Sequence, residues 1–334
     1  MKKKVIVSIF SGTTIILLLL FSNVLANNNR LIENQEIESE TISEKPSIEP
    51  THREEHQTNP TTHSNQQEEQ HINSNKNSLL PKIPVFMYHH FDKNIQNGVI
   101  ADPAIFEEQM RLLKENGYTT LTTQDVIDIK NGKLSMPQKP IMITIDDGYE
   151  SNYTYVYPIL KKFNMKATIF IITDYIENPQ NHPSEYPKMN WEQIQEMSDS
   201  GLVLFQAHTD ILHTKYSSLL KPMVVNGEVE TYEQYEQRVF NDVVKCKNIL
   251  ESRLGKPVTA FSYPNGLYSS SSEEIIKKAG YEMTVVTEPG LLDLQKDDSL
   301  YLVKRINIHG KASADSILTK IAEMEAKERY KVID

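Results

Sequence analysis

The stretch I-M-I-T-I-D-D-G-Y-E-S, Ile141 to Ser151, decides how this chain is read. Five largely apolar residues of strand-forming type run directly into two adjacent carboxylates and a glycine. A buried parallel strand ending at an open site reads this way. Asp-Asp-Gly after a strand is also a good turn, so the stretch alone does not separate a turn from a site.

Working outward, strands alternate with helices from Ile83 onward. The apolar spacing predicts strands over Ile83–Tyr88, Ile141–Ile145, Ala167–Ile172, Val203–Ala207, Thr259–Tyr263, Met283–Val286 and Leu302–Ile308. Helices are predicted over Phe106–Asn116, Thr123–Lys130, Tyr155–Phe163, Trp191–Ser200, Tyr232–Leu254, Glu273–Ala279 and Ala314–Lys327, several of them stopped by glycine. This rhythm implies an α/β fold with a parallel sheet covered by helices, either a closed barrel or a doubly wound sheet. In both, the active site lies at the C-terminal ends of the strands. That rule gathers Asp146-Asp147, His208-Thr209, Pro264-Asn265-Gly266 and His309 at one mouth.

Upstream the chain is of another kind. Met1-Lys-Lys-Lys4 precedes a mostly apolar run ending at Val24-Leu25-Ala26, so 1–26 reads as an export signal, cleaved or retained as a membrane anchor. Residues 27–80 are polar, without apolar period, and read as a disordered linker carrying His52, His56, His63 and His71 without ligand spacing. Residues 81–334 are left as one folded domain. The single cysteine, Cys246, permits no disulfide within the chain and falls in a predicted helix, where it reads as a packed thiol. The net charge of −10, about −13 without the three leader lysines, disfavours nucleic acid and anionic lipid as partners. A secreted or surface-held monomer is expected.

Asp147, His208 and His213 make a plausible two-histidine, one-carboxylate metal set with positions left for water and substrate. Such a set suits zinc, and also cobalt, nickel or iron. Asp146 beside it could accept a proton from a water activated there. Either histidine alone would read as a solvated loop residue; the combination carries the assignment.

Taken in order, I-T-I-D-D-G, H-T-D-I-L-H at His208–His213 and F-S-Y-P-N-G at Phe261–Gly266 resemble the three successive motifs of the polysaccharide deacetylases. P-V-F-M-Y-H-H-F at Pro84–Phe91 and T-E-P-G at Thr287–Gly290 are similar to the branch acting on exported poly-N-acetylglucosamine. The resemblance implies a distorted (β/α) barrel that hydrolyses N-acetyl groups on an N-acetylglucosamine polymer. It implies a divalent metal held by Asp147, His208 and His213, with Asp146 as base and the Asn265 backbone N–H at the oxyanion. It also implies a histidine acid near His309.

Three departures mark this chain. Its histidines are five apart where four is usual, so a loop must bring them together. Ser262 and Asn265 stand where the family often has an arginine and a tyrosine, which leaves the base without its usual orienting partner. His309 sits in R-I-N-I-H-G, an unusual context for the acid. Tyr263, Pro264, His89 and Trp191 are expected to meet the sugar, although a histidine at His89 or His90 reads more readily as capping or core packing and Trp191 could equally be a helix staple. Two other readings stay open: a glycan-binding member without turnover, and an O-acetyl esterase of polysaccharide.

Overall fold

A computed structural model describes residues 80–330, apart from 96, 185, 214–216 and 298. The expected leader and all but the last residue of the expected linker lie outside the described residues. The chain runs through β1 (Ile83–Tyr88), β2 (His90–Phe91), β3 (Ile100–Ala101), α1 (Pro103–Glu115), β4 (Thr119–Leu121), α2 (Thr123–Lys130) and β5 (Pro140–Ile145). A π-helical turn at Asn152–Val156 leads into α3 (Tyr157–Phe163), followed by β6 (Ala167–Ile171), α4 (Thr173–Glu177), α5 (Trp191–Asp199), β7 (Val203–Ala207) and α6 (Ser217–Leu220). A short hairpin, β8 (Val224–Val225) and β9 (Glu228–Val229), precedes the long α7 (Tyr232–Leu254). Then come β10 (Ala260–Ser262), α8 (Ser270–Lys278), β11 (Met283–Val285), β12 (Leu291–Leu292), β13 (Ile306–Asn307) and α9 (Ser316–Tyr330).

Every residue of β1 and β5 is buried, which explains their unbroken apolar text: both faces of a parallel strand are covered. The helices start and stop where their local chemistry requires. Asp102 caps α1 with Pro103 in the first turn, and Thr231 and Gln234 form a capping box on α7. Gly255, at φ 60, ends α7 in the left-handed conformation.

The main sheet has the order β11-β10-β7-β6-β5-β1-β12, with β4 on β5 and β13 on β1. All its pairings are parallel except β1 with β12. The two ends meet through the last strand segment. Val303 bridges Val285 of β11, while Ile306 and Asn307 pair with Phe86 and Met87 of β1. The sheet therefore curls round into a distorted (β/α) barrel, not an open doubly wound sheet. The segment expected as one strand over Leu302–Ile308 is laddered only at Ile306–Asn307. Leu302 is left-handed at φ 59, and the segment changes partner from β11 to β1 along its length.

Gly310 shows how closely the closure is packed. A Cβ there would lie 1.7 Å from the carbonyl oxygen of Ile100, a backbone atom that cannot swing aside. Gly310→Ala is expected to destabilise the chain by about 1–3 kcal/mol, as overpacking does. An unchanged melting temperature for this variant would contradict the described packing.

Candidate active site

The site begins where β5 stops. The Asp146 N–H still donates to the Tyr88 carbonyl at 3.0 Å, continuing the strand's ladder by one residue. Asp147 then turns left-handed at φ 76, followed by Gly148 at φ 67. Aspartate tolerates that region better than most residues, and the reversal breaks strand alternation so that neighbouring carboxylates can share one mouth. At Gly148 a Cβ would lie 2.6 Å from Ile171 Cδ1, so any other residue there would have to push that side-chain end aside.

β7 ends at Ala207 and delivers His208, and the loop beyond it returns His213. The ligand atoms of Asp147, His208 and His213 all lie within 4.8 Å of one another. Asp147 Oδ1 is 3.5 Å from His208 Nε2 and 3.2 Å from His213 Nε2. His208 Nδ1 is 2.6 Å from the Ser262 carbonyl oxygen, so Nδ1 carries the proton it donates. Nε2 of the neutral ring then turns a lone pair toward the Asp147 carboxylate. Two acceptors facing each other in a buried pocket is a stable arrangement when a cation lies between them, and the outer hydrogen bond is the one that orients a metal-ligating imidazole. Burial pushes the His208 ring down to about 4. Burial alone would raise Asp147, but the His213 hydrogen bond, Lys188 and His208 outweigh it and hold that carboxyl below the usual range. The donor set fits a divalent transition metal.

Asp146 faces a different partner. Arg305, with no exposed surface, donates Nη1 to Oδ1 and Nη2 to Oδ2, both at 2.8 Å. Its Nε donates to the Val286 carbonyl at 3.0 Å, and Ser262 Oγ lies 3.3 Å from Asp146 Oδ2. Burial would raise the Asp146 carboxyl, but Arg305, with His208 and His89, holds it below its ordinary value. The orienting arginine missing from the third motif is thus supplied from the barrel-closing segment, where Val303-Lys-Arg-Ile306 places it. The expectation that the base lacks such a partner is corrected. The readable signal was an arginine set in apolar strand text; its partner lies 159 positions away.

A second group that the sequence reading passed over is Lys188. Its ammonium sits 3.3 Å over the Tyr149 ring, and burial together with the Asp147 carboxylate raises the Tyr149 phenol above its ordinary value. Burial lowers Lys188 to about 8, with Asp147 acting in the opposite sense. Nothing in the loop Asn178–Asn190 marks it.

The other expected residues divide. His89 Nε2 lies 3.9 Å from Asp146 Oδ2, at the base. Asn265 is exposed and left-handed at φ 55, directly after buried Pro264, in the 3-10 turn that follows β10. Tyr263 has no exposed surface, and its hydroxyl donates to Glu273 at 2.7 Å, so its side chain packs in the barrel wall. The Trp191 indole donates to Glu177 at 2.7 Å and carries Arg253 5.0 Å above its ring, and it belongs to that cluster. His309 is exposed, lies against Gly98 and accepts the Lys311 N–H at 3.2 Å; none of its described contacts is with Asp146 or the metal set. Cys246 is buried, its thiol pushed up to about 12 by burial, in keeping with a packed residue.

Comparison with known proteins agrees with this geometry. The family profile described as polysaccharide deacetylase matches residues 133–284, which hold both aspartates, both histidines and the third motif. A Bacillus subtilis protein classed with the polysaccharide deacetylases is 30% identical over 244 residues, 73% of this chain and 77% of that protein. The Staphylococcus aureus poly-beta-1,6-N-acetyl-D-glucosamine N-deacetylase is 28% identical over 216 residues, 65% of this chain and 70% of its own length. Among solved structures, a polysaccharide deacetylase from Bacillus cereus superposes with a TM-score of 0.57 at 30% identity, covering 72% of this chain and 69% of that one. With the ordered motifs at the strand ends of a curled parallel barrel, the chain belongs to the polysaccharide deacetylase family.

Proposed function

We propose that this chain is an exported, metal-dependent deacetylase that hydrolyses N-acetyl groups of an N-acetylglucosamine polymer, poly-β-1,6-N-acetylglucosamine or peptidoglycan. The observation that carries the proposal is the pairing of an arginine-clamped carboxylate, Asp146, with the Asp147, His208 and His213 set at one barrel mouth. The Staphylococcus relative, named for the β-1,6-linked polymer, supports that substrate ahead of peptidoglycan.

Asp147, His208 and His213 would hold the metal, which supplies Lewis-acid polarisation of a carbonyl and a lowered pKa for water. Asp146 takes the proton of the attacking water, while Arg305 fixes the plane of its carboxylate. The Asn265 backbone N–H, on the exposed turn after β10, donates to the oxyanion. His309 returns a proton to the leaving nitrogen. His89, beside Asp146, contacts the sugar. A groove of about 880 Å³ lined by His182, Ile211, Leu212, Val225 and Arg238 adjoins the loop between the two ligand histidines and offers the polymer a path. Residues 1–26 export the chain or retain it at the membrane, 27–80 act as a tether, and 81–334 are a monomeric catalytic domain. Among the described residues no helix is long and apolar enough to cross a membrane.

The absent motif arginine and the irregular position of the acid were the reasons to consider a binding module without turnover; Arg305 answers the first, and polymer capture without acetate release would favour that module. The ester reading is separated by substrate. The full chain, stripped by chelator and reconstituted with zinc, cobalt, nickel or iron in turn, is expected to release acetate from N-acetylated polymer in at least one metal form and none when stripped. Faster release from O-acetylated xylan than from any N-acetylglucosamine polymer would move the assignment to an esterase.

A further inference from the structure

The two ligand histidines are separated by Thr209-Asp210-Ile211-Leu212, and this loop carries a backbone cost. Thr209 is β-branched, fully buried and left-handed at φ 100, a conformation that persists only where its surroundings impose it. The surroundings come from α7. Asp242 accepts the Asp210 N–H at 3.0 Å on one carboxylate oxygen and the Ile211 N–H at 2.8 Å on the other.

Asp210 holds the loop from its own side. Its carboxylate accepts the Thr173 hydroxyl at 2.7 Å and the ammonium of Lys245, three residues beyond Asp242 on α7, at 2.6 Å. The Thr173 N–H donates to the Thr209 carbonyl at 3.2 Å, so the peptide that follows the strained residue is tied at both its carbonyl and its N–H.

Asp242 is otherwise out of place. It lies on the buried stripe of α7 with Tyr235, Val239, Val243, Cys246 and Leu250. Burying a carboxylate there is costly unless its oxygens are used, and two consecutive backbone N–H groups, one on each oxygen, use them.

We propose that Asp242 is a positioning residue for metal binding: it clamps the Thr209–Leu212 loop so that His208 and His213 converge on Asp147 despite their five-residue spacing. The inference rests on the reading of those three residues as the metal set and goes beyond it by naming what assembles the set. Burial raises the Asp242 carboxyl to about 6 against the pull of these N–H bonds, which leaves it ionised at neutral pH.

The test is zinc affinity of the full chain, measured by competition with a chromogenic chelator, for wild type and Asp242→Asn. The amide keeps one acceptor and turns an NH₂ group against a backbone N–H, so about 10- to 100-fold weaker zinc binding is expected, the usual effect of losing an outer-shell partner. A role confined to folding would lower the melting temperature of the metal-free protein and leave affinity, read well below that temperature, unchanged; that result overturns the proposal. A reading that needs no variant is hydrogen exchange on the unmutated, metal-free chain. The Asp210 and Ile211 amides are expected to be protected like the core of α7, and exchange at open-loop rates overturns the clamp. A wild-type chain that takes up no zinc while these amides stay protected overturns the metal reading, and the positioning role with it.

Discussion

Arg305→Met is expected to cost about 3–5 kcal/mol of stability, the usual consequence of leaving a buried charge without its partner. Asp146 is 2% exposed and Arg305 0%, so neither group can turn to water when the other is removed. The same change frees the plane of the Asp146 carboxylate, so turnover falls as well. The pH dependence of stability gives an independent signature. Asp146 has a lowered pKa in the folded chain, so its contribution is fully present above the unfolded carboxyl value of about 3.9 and is lost as pH falls through the lower folded value. Wild type is therefore expected to lose stability steeply on acidification below about pH 4, and Arg305→Met to show a shallower acid limb. Urea unfolding at pH 7 and at several acid pH values measures both. Equal stability of the two proteins at pH 7 would contradict the pair.

Asp146→Asn is expected to lower the rate of acetate release by about 10²- to 10⁴-fold, the range for loss of a general base. Zinc should still bind, because Asp146 is outside the Asp147, His208 and His213 set. The asparagine leaves Arg305 buried without a counter-charge, so this variant also loses stability. The double variant Asp146→Asn with Arg305→Met should therefore be less destabilised than the two single losses added together, since each single change strands the other's charge. Loss of zinc binding in Asp146→Asn would place Asp146 among the ligands and overturn its separation from them.

What could be read beforehand was whatever is local in sequence. The strand into Asp146-Asp147, the pair His208 and His213, and the turn at Pro264–Gly266 each announce themselves within a few residues, and the barrel brings their strand ends together. Arg305 was visible only as an arginine set in apolar strand text, because its partner depends on the closure of β11 onto β1 through the last strand segment. The burial of Tyr263 was hidden for a related reason: a tyrosine next to a site motif looks exposed until Glu273, which accepts its hydroxyl, is placed. Asp242 was legible in principle, as an acid standing on the apolar stripe of α7, but its partners are backbone groups that no spacing reveals. Lys188 lies in a loop without pattern and joins Asp147 only through the fold.

We propose that this barrel mouth cleaves acetamides on a glucosamine polymer. The most direct measurement incubates the zinc-loaded full chain with poly-β-1,6-N-acetylglucosamine and counts acetate and new free amines together. Equimolar appearance of the two, abolished in Asp146→Asn, is the predicted result; a zinc-loaded, folded chain that releases neither from this polymer nor from peptidoglycan would contradict it.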